Sequence, residues 1–362
     1  MLPLTPDYRA MEAKLVPSLP EGPQWQYEPK WDGFRCLAFK DSSRVALRSK
    51  SGQPLDRYFP EIGDAMLALN APRCVLDGEL VVPEGDVLSF DQLLMRIHPA
   101  ASRVQKLSRE HPALYVVFDL LVDERGKSLV DAPLSQRRLA LERFAARELN
   151  RVPSFRLSPA VRSRKDADAW FQVLGSGLDG VVAKRVDLPY QTGERTGVQK
   201  YKRMRTADCV VGGFRYGTGS KLVGSLLLGL FDAEGLLHHV GFASNIPASE
   251  REIVTRELEK LVAAPGFTGR APGGPSRWST ERSGEWKPLR TKLVIEVQYD
   301  QFSGGRFRHG TKFLRWRPDK APLQCTLAQV EQESAQALVL IEARSPKKRQ
   351  GHADRRDEAE TR

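Results

Sequence analysis

The stretch Lys30-Trp31-Asp32-Gly33-Phe34-Arg35 combines a lysine with an acid, a glycine and an arginine just ahead of a predicted strand. A lysine amine forms a covalent intermediate only after it loses its proton, and its ordinary pKa is about 10.4. A neighbouring cation or a dry pocket lowers that pKa. Gly33 leaves space for a ligand near the backbone, and Arg35 can bind a phosphate through two hydrogen bonds. Alone, a K-x-D-G sequence is more often a surface turn, so the rest of the chain decides its meaning.

The length and composition are those of a globular protein with two domains. The chain has 362 residues, of which 41% are hydrophobic and 28% are charged, and this is enough to bury a sizeable core. No apolar run has the length of a membrane span, and the first residues have no signal-peptide pattern. We therefore expect a cytoplasmic protein.

The charge balance favours a polyanionic partner. The formal net charge is +11 and the sequence pI is about 9.5. With no amphipathic anchor or lipidation signal, nucleic acid is a better prediction than a membrane surface. The four cysteines are isolated from one another, so neither a zinc site nor a disulfide framework is indicated.

The first 204 residues predict an α+β domain. A hairpin is expected over 34–49, a short helix after Pro60, and a buried strand over 115–121. The stretch 74–82 reads as strand, tight turn and strand, with the turn at Asp77-Gly78. Strands and helices do not alternate regularly, which favours antiparallel sheets with helices over a doubly wound sheet.

The pattern changes after residue 204. Short strands with glycine turns and one intervening helix fill residues 205–330, a composition typical of a small OB-fold barrel. Residues 331–362 are predicted to be a C-terminal helix or extension followed by a disordered charged tail. The expected division is therefore 1–204, 205–330 and 331–362.

The first domain carries residues suited to attack on phosphorus. Lys30 is the candidate nucleophile, and Glu79 and Asp179 are carboxylates at predicted strand or turn positions. A lysine nucleophile, carboxylates and many cations suit phosphoryl chemistry with a divalent metal. No P-loop or dinucleotide-binding glycine motif occurs. The nearby cations are Arg35, Arg48, Lys50, Lys184, Lys200 and Lys202.

Taken in order, these motifs resemble those of the covalent nucleotidyltransferase superfamily, which contains DNA ligases, RNA ligases and capping enzymes. Seven ordered motifs are very unlikely to arise by chance, and they cover the chain to about residue 330. They are Lys30-Trp31-Asp32-Gly33-Phe34-Arg35, Arg48-Ser49-Lys50, Leu76-Asp77-Gly78-Glu79-Leu80, Val117-Phe118-Asp119-Leu120-Leu121, Asp179-Gly180-Val181-Val182-Ala183-Lys184, Lys200-Tyr201-Lys202 and Arg315-Trp316-Arg317-Pro318-Asp319-Lys320.

The likeness is greatest to small bacterial ATP-dependent DNA ligases of the ligase C type and to the ligase domain of ligase D. Tyr27-Glu28-Pro29 and Arg317-Pro318-Asp319-Lys320 are similar to the sequences of that subgroup. One position departs from the family pattern: Asp179 stands where the family carries glutamate, so Asp179 is a less secure metal candidate than Glu79.

The resemblance implies an ATP-dependent DNA ligase that acts in repair, in end joining or excision repair, through a lysyl-AMP and a DNA-adenylate. Lys30 would be the nucleophile. Phe118 would stack on adenine, and the backbone around Glu28 would read its amino edge. Glu79 and Asp179 would hold Mg²⁺ or Mn²⁺, or in the case of Glu79 the ribose. Arg35 and Arg48 would contact ribose or the 5′-phosphate. The α-phosphate would be held by Lys184, Lys200 and Lys202. The pyrophosphate would be bound by Arg317, Asp319 and Lys320.

The implied partners are ATP, duplex DNA with nicks or breaks, and end-joining or excision-repair proteins. We expect a monomer associated with the nucleoid, and no membrane partner. Two alternatives stay open on sequence. One is an RNA ligase or a capping guanylyltransferase with the same nucleophile. The other is a non-catalytic OB-fold protein that binds nucleic acid.

Overall fold

The computed structural model describes residues 1–85, 87–173, 178–202, 204–273, 285–330 and 339–342. Its strands are β1 (Lys14–Leu15), β2 (Trp25–Pro29), β3 (Phe34–Asp41), β4 (Arg44–Ser49), β5 (Arg73–Val81), β6 (Pro83–Glu84), β7 (Val87–Leu88), β8 (Leu114–Val122), β9 (Phe155–Leu157), β10 (Val181–Arg185), β11 (Val198–Tyr201), β12 (Arg205–Tyr216), β13 (Val223–Phe231), β14 (Leu237–Ala243), β15 (Lys287–Pro288), β16 (Val294–Tyr299), β17 (Phe302–Ser303), β18 (Arg306–Phe307) and β19 (Lys312–Trp316).

The α-helices lie between these strands, except for α7, which follows the last one. They are α1 (Pro60–Leu67), α2 (Phe90–Met95), α3 (Ala101–Glu110), α4 (Leu134–Arg147), α5 (Arg164–Val173), α6 (Arg251–Lys260) and α7 (Val339–Glu342). No helix in these described ranges is both long and apolar enough to cross a bilayer.

Strand β8 is buried along nearly its whole length in the N-terminal half. It belongs to a sheet of order β4-β3-β5-β8-β9, in which only the β8–β9 pair is parallel. Its sequence, apolar except for Asp119, is explained by burial on both faces. Tyr115 and Val117 point into one hydrophobic cluster with α1 and α4, whereas Val116 joins a second cluster on the other face.

A second sheet, of order β1-β11-β10-β2, lies against that second face. In its antiparallel β2–β10 pair, Glu28 is opposite Val182 and Gln26 is opposite Lys184. Side chains from β2, β10 and β11 and from β3, β5 and β8 line one shared cavity. The two sheets therefore bring together motifs that are up to about 170 residues apart in the chain.

The predicted turn at Asp77-Gly78 is wrong, because β5 runs unbroken through both residues. The register of β5 against β8 shifts between them, so the pair marks an irregularity within a sheet rather than a reversal. A Cβ on Gly78 would lie 2.6 Å from the Val116 carbonyl oxygen and 2.6 Å from the Tyr115 ring. The glycine is thus required by close packing of β8 and not by a turn.

The residues from 205 to 330 are here called the C-terminal unit, and its described part forms a sheet of order β14-β13-β12-β16-β19, with β15 added to β12. It surrounds its own hydrophobic cluster, which shares no residue with the clusters of the N-terminal half. The sheet stays open between β14 and β19. One bridge between Ala243 and Thr311 joins these edges, and the Asn245 side chain accepts from Phe313 N–H at 2.7 Å.

The predicted C-terminal extension lies outside the described residues except for α7. There Leu340 and Ile341 pack on the cluster that contains Trp25 and Trp170. The division at residues 204 and 330 stays a prediction.

We expect Gly78→Ala to lower the free energy of unfolding by about 2 kcal/mol, because the new methyl group overpacks the β5–β8 contact. Gly63→Ala is the matched control, since nothing lies within 4 Å of its added Cβ in α1. That variant should raise stability by about 0.5 to 1 kcal/mol. Urea unfolding followed by circular dichroism measures both, and equal midpoints for the two variants would contradict the assignment of Gly78 to a tightly packed strand.

Candidate active site

The cavity between the two sheets gathers most of the predicted site residues. Lys30, Arg35, Glu79, Phe118, Lys184 and Lys200 line it, together with Glu28 and Lys50. Of the three lysines expected around the phosphate at Lys30, Lys184 and Lys200 line this cavity and Lys202 does not.

Lys30 lies between β2 and β3 and is fixed by backbone and side-chain contacts. Its N–H donates to the Gly180 carbonyl at 2.9 Å, and its carbonyl accepts from Asp179 N–H at 3.1 Å. The Lys30 ammonium contacts the buried Asp179 carboxylate directly. Lys202 approaches the other Asp179 oxygen at 3.2 Å. Asp179, which replaces the family's glutamate, thus holds the nucleophile candidate in place.

Gly33 has a different role from the one the sequence predicted. A Cβ at this position would lie 2.1 Å from the Leu80 carbonyl oxygen and 2.9 Å from the Glu79 side chain. Its space is occupied by β5, so Gly33 permits close pairing of β3 with β5 and is not reserved for a ligand.

Lys184 and Lys200 differ in whether a carboxylate neutralises their positive charge. Lys184 Nζ is 2.7 Å from Glu28 Oε2 and lies 4.3 Å from the centre of the Phe118 ring. Lys200 has no carboxylate within ion-pairing distance among the residues the structure describes. Burial, followed by the charges of Lys30, Lys50 and Lys202, lowers the pKa of Lys200.

Arg35 is held by a buried network that sequence reasoning missed. Arg35 Nε and Nη2 donate to the two oxygens of Asp77 at 2.5 and 2.6 Å. Tyr190 Oη donates to the same carboxylate at 2.6 Å. The guanidinium lies 4.5 Å from the centre of the Phe118 ring. Asp77 was visible only as part of the D-G-E motif, and Tyr190, in the loop between β10 and β11, carried no signal in a single sequence.

A second buried pair supports the same wall. Arg137 donates to both oxygens of Asp119, at 2.9 and 3.0 Å. Both residues line the cavity. Because each charge is neutralised by a partner with two hydrogen bonds, the pair is compatible with burial.

Carboxylates surround Lys30 without forming a preformed metal cage. Burial raises the pKa of Glu79 to about 7, and the charges of Arg35 and Lys30 oppose that rise. Burial also raises the pKa of Asp32, against the charge of Arg308. In the described part of the chain, no group of three or more His, Cys, Asp or Glu side chains is placed to hold a metal ion.

Several predicted site residues lie outside the cavity. Lys202 pairs with Asp300 at 2.9 Å as well as with Asp179. Arg48 donates to Asp56 at 2.8 Å. On the C-terminal unit, Arg317 and Lys320 both bind Asp208, at 2.8 and 2.7 Å. Asp319 is bound to Arg317 at 2.9 Å.

The C-terminal unit reaches the nucleophile motif with other residues. Arg308 contacts the Asp32 carboxylate and lies 3.5 Å from the centre of the Phe90 ring. Asp300 pairs with Lys202 and with His309, the latter at 2.8 Å. Sequence reasoning missed these residues, since they fall in none of the quoted motifs.

We expect Glu79 to make stability depend on pH. Its pKa of about 7, against an ordinary 4.5, means that the folded protein keeps a proton that the unfolded chain releases between these values. Its contribution therefore favours folding at low pH and is lost as pH rises through about 7. The difference in free energy of unfolding between wild type and Glu79→Gln should fall by about 2 to 3 kcal/mol from about pH 5 to pH 8.

Urea titrations across that pH range measure this difference. Glu252→Gln, a change of an exposed glutamate in α6, is the control and should follow wild type. Parallel pH profiles for wild type and Glu79→Gln would contradict the raised pKa.

Comparisons with known proteins agree with the order of the motifs. Residues 11–202 match the model of the ATP-dependent DNA ligase domain, and residues 219–320 match that of the ATP-dependent DNA ligase C-terminal region. DNA ligase C2 of Mycolicibacterium smegmatis is 42% identical over 350 residues, which cover 91% of this chain and 96% of that protein. The multifunctional non-homologous end joining DNA repair protein LigD of Mycobacterium tuberculosis is 32% identical over 305 residues, which cover 83% of this chain and 37% of that protein.

A solved structure of a Lig E DNA ligase has the same fold. It matches with a TM-score of 0.53 at 16% identity, over 85% of this chain and 99% of that chain. The predicted α+β class with an OB-fold unit is confirmed, with the sheet of the C-terminal unit open rather than closed. On the two family models and on the identity to DNA ligase C2, the chain belongs to the ATP-dependent DNA ligase family.

Proposed function

We propose that Lys30 is the nucleophile through which this ATP-dependent DNA ligase seals breaks in duplex DNA. The observation that carries the proposal is the contact of Lys30 with Asp179 at a cavity that Lys184, Lys200 and Phe118 also line. In the first step, the Lys30 amine attacks the α-phosphorus of ATP, the bond to the β-phosphate breaks, and pyrophosphate leaves. Asp179 contacts the amine, orients it and accepts its proton.

The lysyl-AMP then reacts with the broken strand. The 5′-phosphate attacks the same phosphorus and forms a DNA-adenylate, which frees Lys30. The 3′-hydroxyl next attacks the activated 5′-phosphate and expels AMP, which closes the phosphodiester bond. Dividing the reaction in this way gives the 5′-phosphate a good leaving group before the strand is joined.

The cavity residues divide into groups for the base and groups for the phosphates. We assign adenine to the Phe118 ring and its amino edge to the backbone around Glu28. An adenine on Phe118 would displace Lys184 from the ring, so that Lys184 exchanges Glu28 for the α-phosphate. Lys200, with its lowered pKa and no carboxylate partner in the described structure, needs no such exchange. Lys202 completes the phosphate contacts once Asp300 releases it.

The carboxylates near Lys30 fit a weakly preformed Mg²⁺ or Mn²⁺ site. Mg²⁺ is commonly held by one or two carboxylates together with substrate phosphates and water. Glu79 and Asp179 supply such a pair, and the described residues supply no larger cage. When bound, the metal would neutralise charge on the phosphate oxygens. Asp179 can join it only by loosening its contact with Lys30.

The remaining motif residues require movement. Arg317, Asp319 and Lys320 are engaged with one another or with Asp208 on the C-terminal unit. For them to close over pyrophosphate, residues 205–330 would turn relative to residues 1–204 about 204–206, where β12 begins. Arg48, bound to Asp56, would leave that partner to contact the 5′-phosphate.

The net charge of +11 supports sequence-independent binding of duplex DNA through phosphate contacts. A role in end joining follows by analogy from the LigD relative, and we propose that the enzyme works as a monomer with repair proteins at the break.

Incubation with Mg²⁺ and α-labelled ATP should label the protein covalently, and Lys30→Ala should abolish the label because it removes the amine that we assign to attack on the α-phosphorus. Lys260→Ala, which changes an exposed lysine in α6, is the control and should label as wild type does. Nicked duplex DNA should discharge the label, with joined strands appearing on a denaturing gel.

Each alternative predicts a different result in this assay. Labelling by GTP alone would indicate a capping enzyme, and discharge by nicked RNA but not by nicked DNA would indicate an RNA ligase. An unlabelled wild-type protein that still binds nucleic acid would indicate a non-catalytic OB-fold protein.

Metal binding should release a proton from Glu79, because a carboxylate whose pKa is about 7 is about half protonated at neutral pH. Calorimetric titration of Mg²⁺ into the enzyme with a non-hydrolysable ATP analogue measures this release, from the dependence of the heat on buffer ionisation. Glu79→Gln should remove most of it, whereas Glu252→Gln should not. Equal proton release from all three proteins would exclude Glu79 as a ligand.

A further inference from the structure

The Asp77 carboxylate is fully buried and receives three hydrogen bonds from two side chains. Arg35 donates to both of its oxygens, and Tyr190 Oη donates to Oδ2 at 2.6 Å. Oδ2 therefore receives Arg35 Nη2 and Tyr190 together. With two donors from different directions on one oxygen, the carboxylate has little freedom to rotate.

Tyr190 is itself fixed from three sides. Met11 N–H donates to its hydroxyl oxygen at 2.9 Å. The Arg137 guanidinium lies 5.5 Å from the centre of its ring, and Arg137 also donates to the Leu188 carbonyl two residues earlier. Since Arg137 is anchored by the buried Asp119, the tyrosine ring is attached to a rigid wall of the cavity.

The fixed carboxylate leaves part of Arg35 available. Its Nε and Nη2 are committed to Asp77, whereas Nη1 donates to no acceptor in the ranges that the structure describes. The side chain is 27% exposed, lines the cavity and lies 4.5 Å from the centre of the Phe118 ring. Nη1 can thus donate to an oxygen of a nucleotide whose base stacks on that ring.

We propose that Tyr190 is a positioning residue that sets the angle of Arg35 towards the bound nucleotide by locking the plane of the Asp77 carboxylate. This inference rests on the proposed function of the cavity. Tyr190 lines the cavity, but its hydroxyl group is engaged with Asp77 and with Met11 N–H. It acts through Asp77, and the hydroxyl group is the part that matters.

Tyr190→Phe tests this role because it keeps the ring and removes only the hydroxyl, which donates to Asp77 and accepts from Met11 N–H. The maximal rate of covalent labelling at saturating ATP should fall about tenfold, the loss expected when a hydrogen bond to a charged group is removed. KM for ATP should change by less than about threefold, because a tilted guanidinium still presents its charge to the nucleotide while its orientation at the reacting phosphate is lost. Tyr8→Phe is the matched control. The centre of the Tyr8 ring lies 6.2 Å from that of Tyr190, and the Tyr8 hydroxyl has no hydrogen bond to Asp77. Loss of that hydroxyl should therefore leave the rate unchanged.

A double-mutant cycle separates positioning from a general structural effect. In an Arg35→Lys background, which removes the two-pronged contact with Asp77, adding Tyr190→Phe should lower the labelling rate by less than about twofold. A tenfold loss in both backgrounds would overturn the proposal, and so would a Tyr190→Phe rate equal to wild type. In a second background, Asp77→Asn, adding Tyr190→Phe should likewise have little further effect on the labelling rate. If wild type itself were unlabelled, the proposed function would fail, and that outcome is distinct from the two just named.

Discussion

Positive charge gathered in a partly buried cavity is the constraint on which the rest of this structure depends. An isolated buried cation is costly, so each must be neutralised or must give up its proton. Lys30 is held by Asp179, Lys184 by Glu28 and Arg35 by Asp77. The chain therefore carries its own anions in a site that we assign to phosphates.

These internal anions also give the site its order. A flexible lysine without a partner would sample many rotamers. A lysine bound to a carboxylate is instead held in one orientation, close to where a phosphate would lie. The arrangement has a cost, because a bound phosphate must compete with each carboxylate. Lys200 differs, because burial and neighbouring cations lower its pKa. A bound phosphate would stabilise the charged form of Lys200 without displacing a carboxylate.

The sequence predicted the composition of the site better than its geometry. Lys30, Lys184 and Lys200 line one cavity, because Lys30 follows β2 and the other two lie on β10 and β11, its neighbours in one sheet, whereas Lys202 does not line it. The Asp77-Gly78 turn was wrong because local propensity cannot reveal that Tyr115 packs against the glycine. Tyr190, Arg308 and Asp300 were missed since their partners are distant in the chain. The placement of Arg317 and Lys320 depends on how the C-terminal unit sits, and no local pattern encodes that.

The double pairing of Lys202 has a consequence for how the two halves of the chain communicate. Lys202 binds Asp179 beside the nucleophile and Asp300 on the C-terminal unit. A phosphate bound by this lysine, as we propose, would weaken its hold on Asp300, so ligand binding and docking of the C-terminal unit would compete for one ammonium group. By thermodynamic linkage, the factor by which docking weakens phosphate binding equals the factor by which phosphate weakens docking. One lysine would thus link the binding of phosphate beside Lys30 to the position of the C-terminal unit.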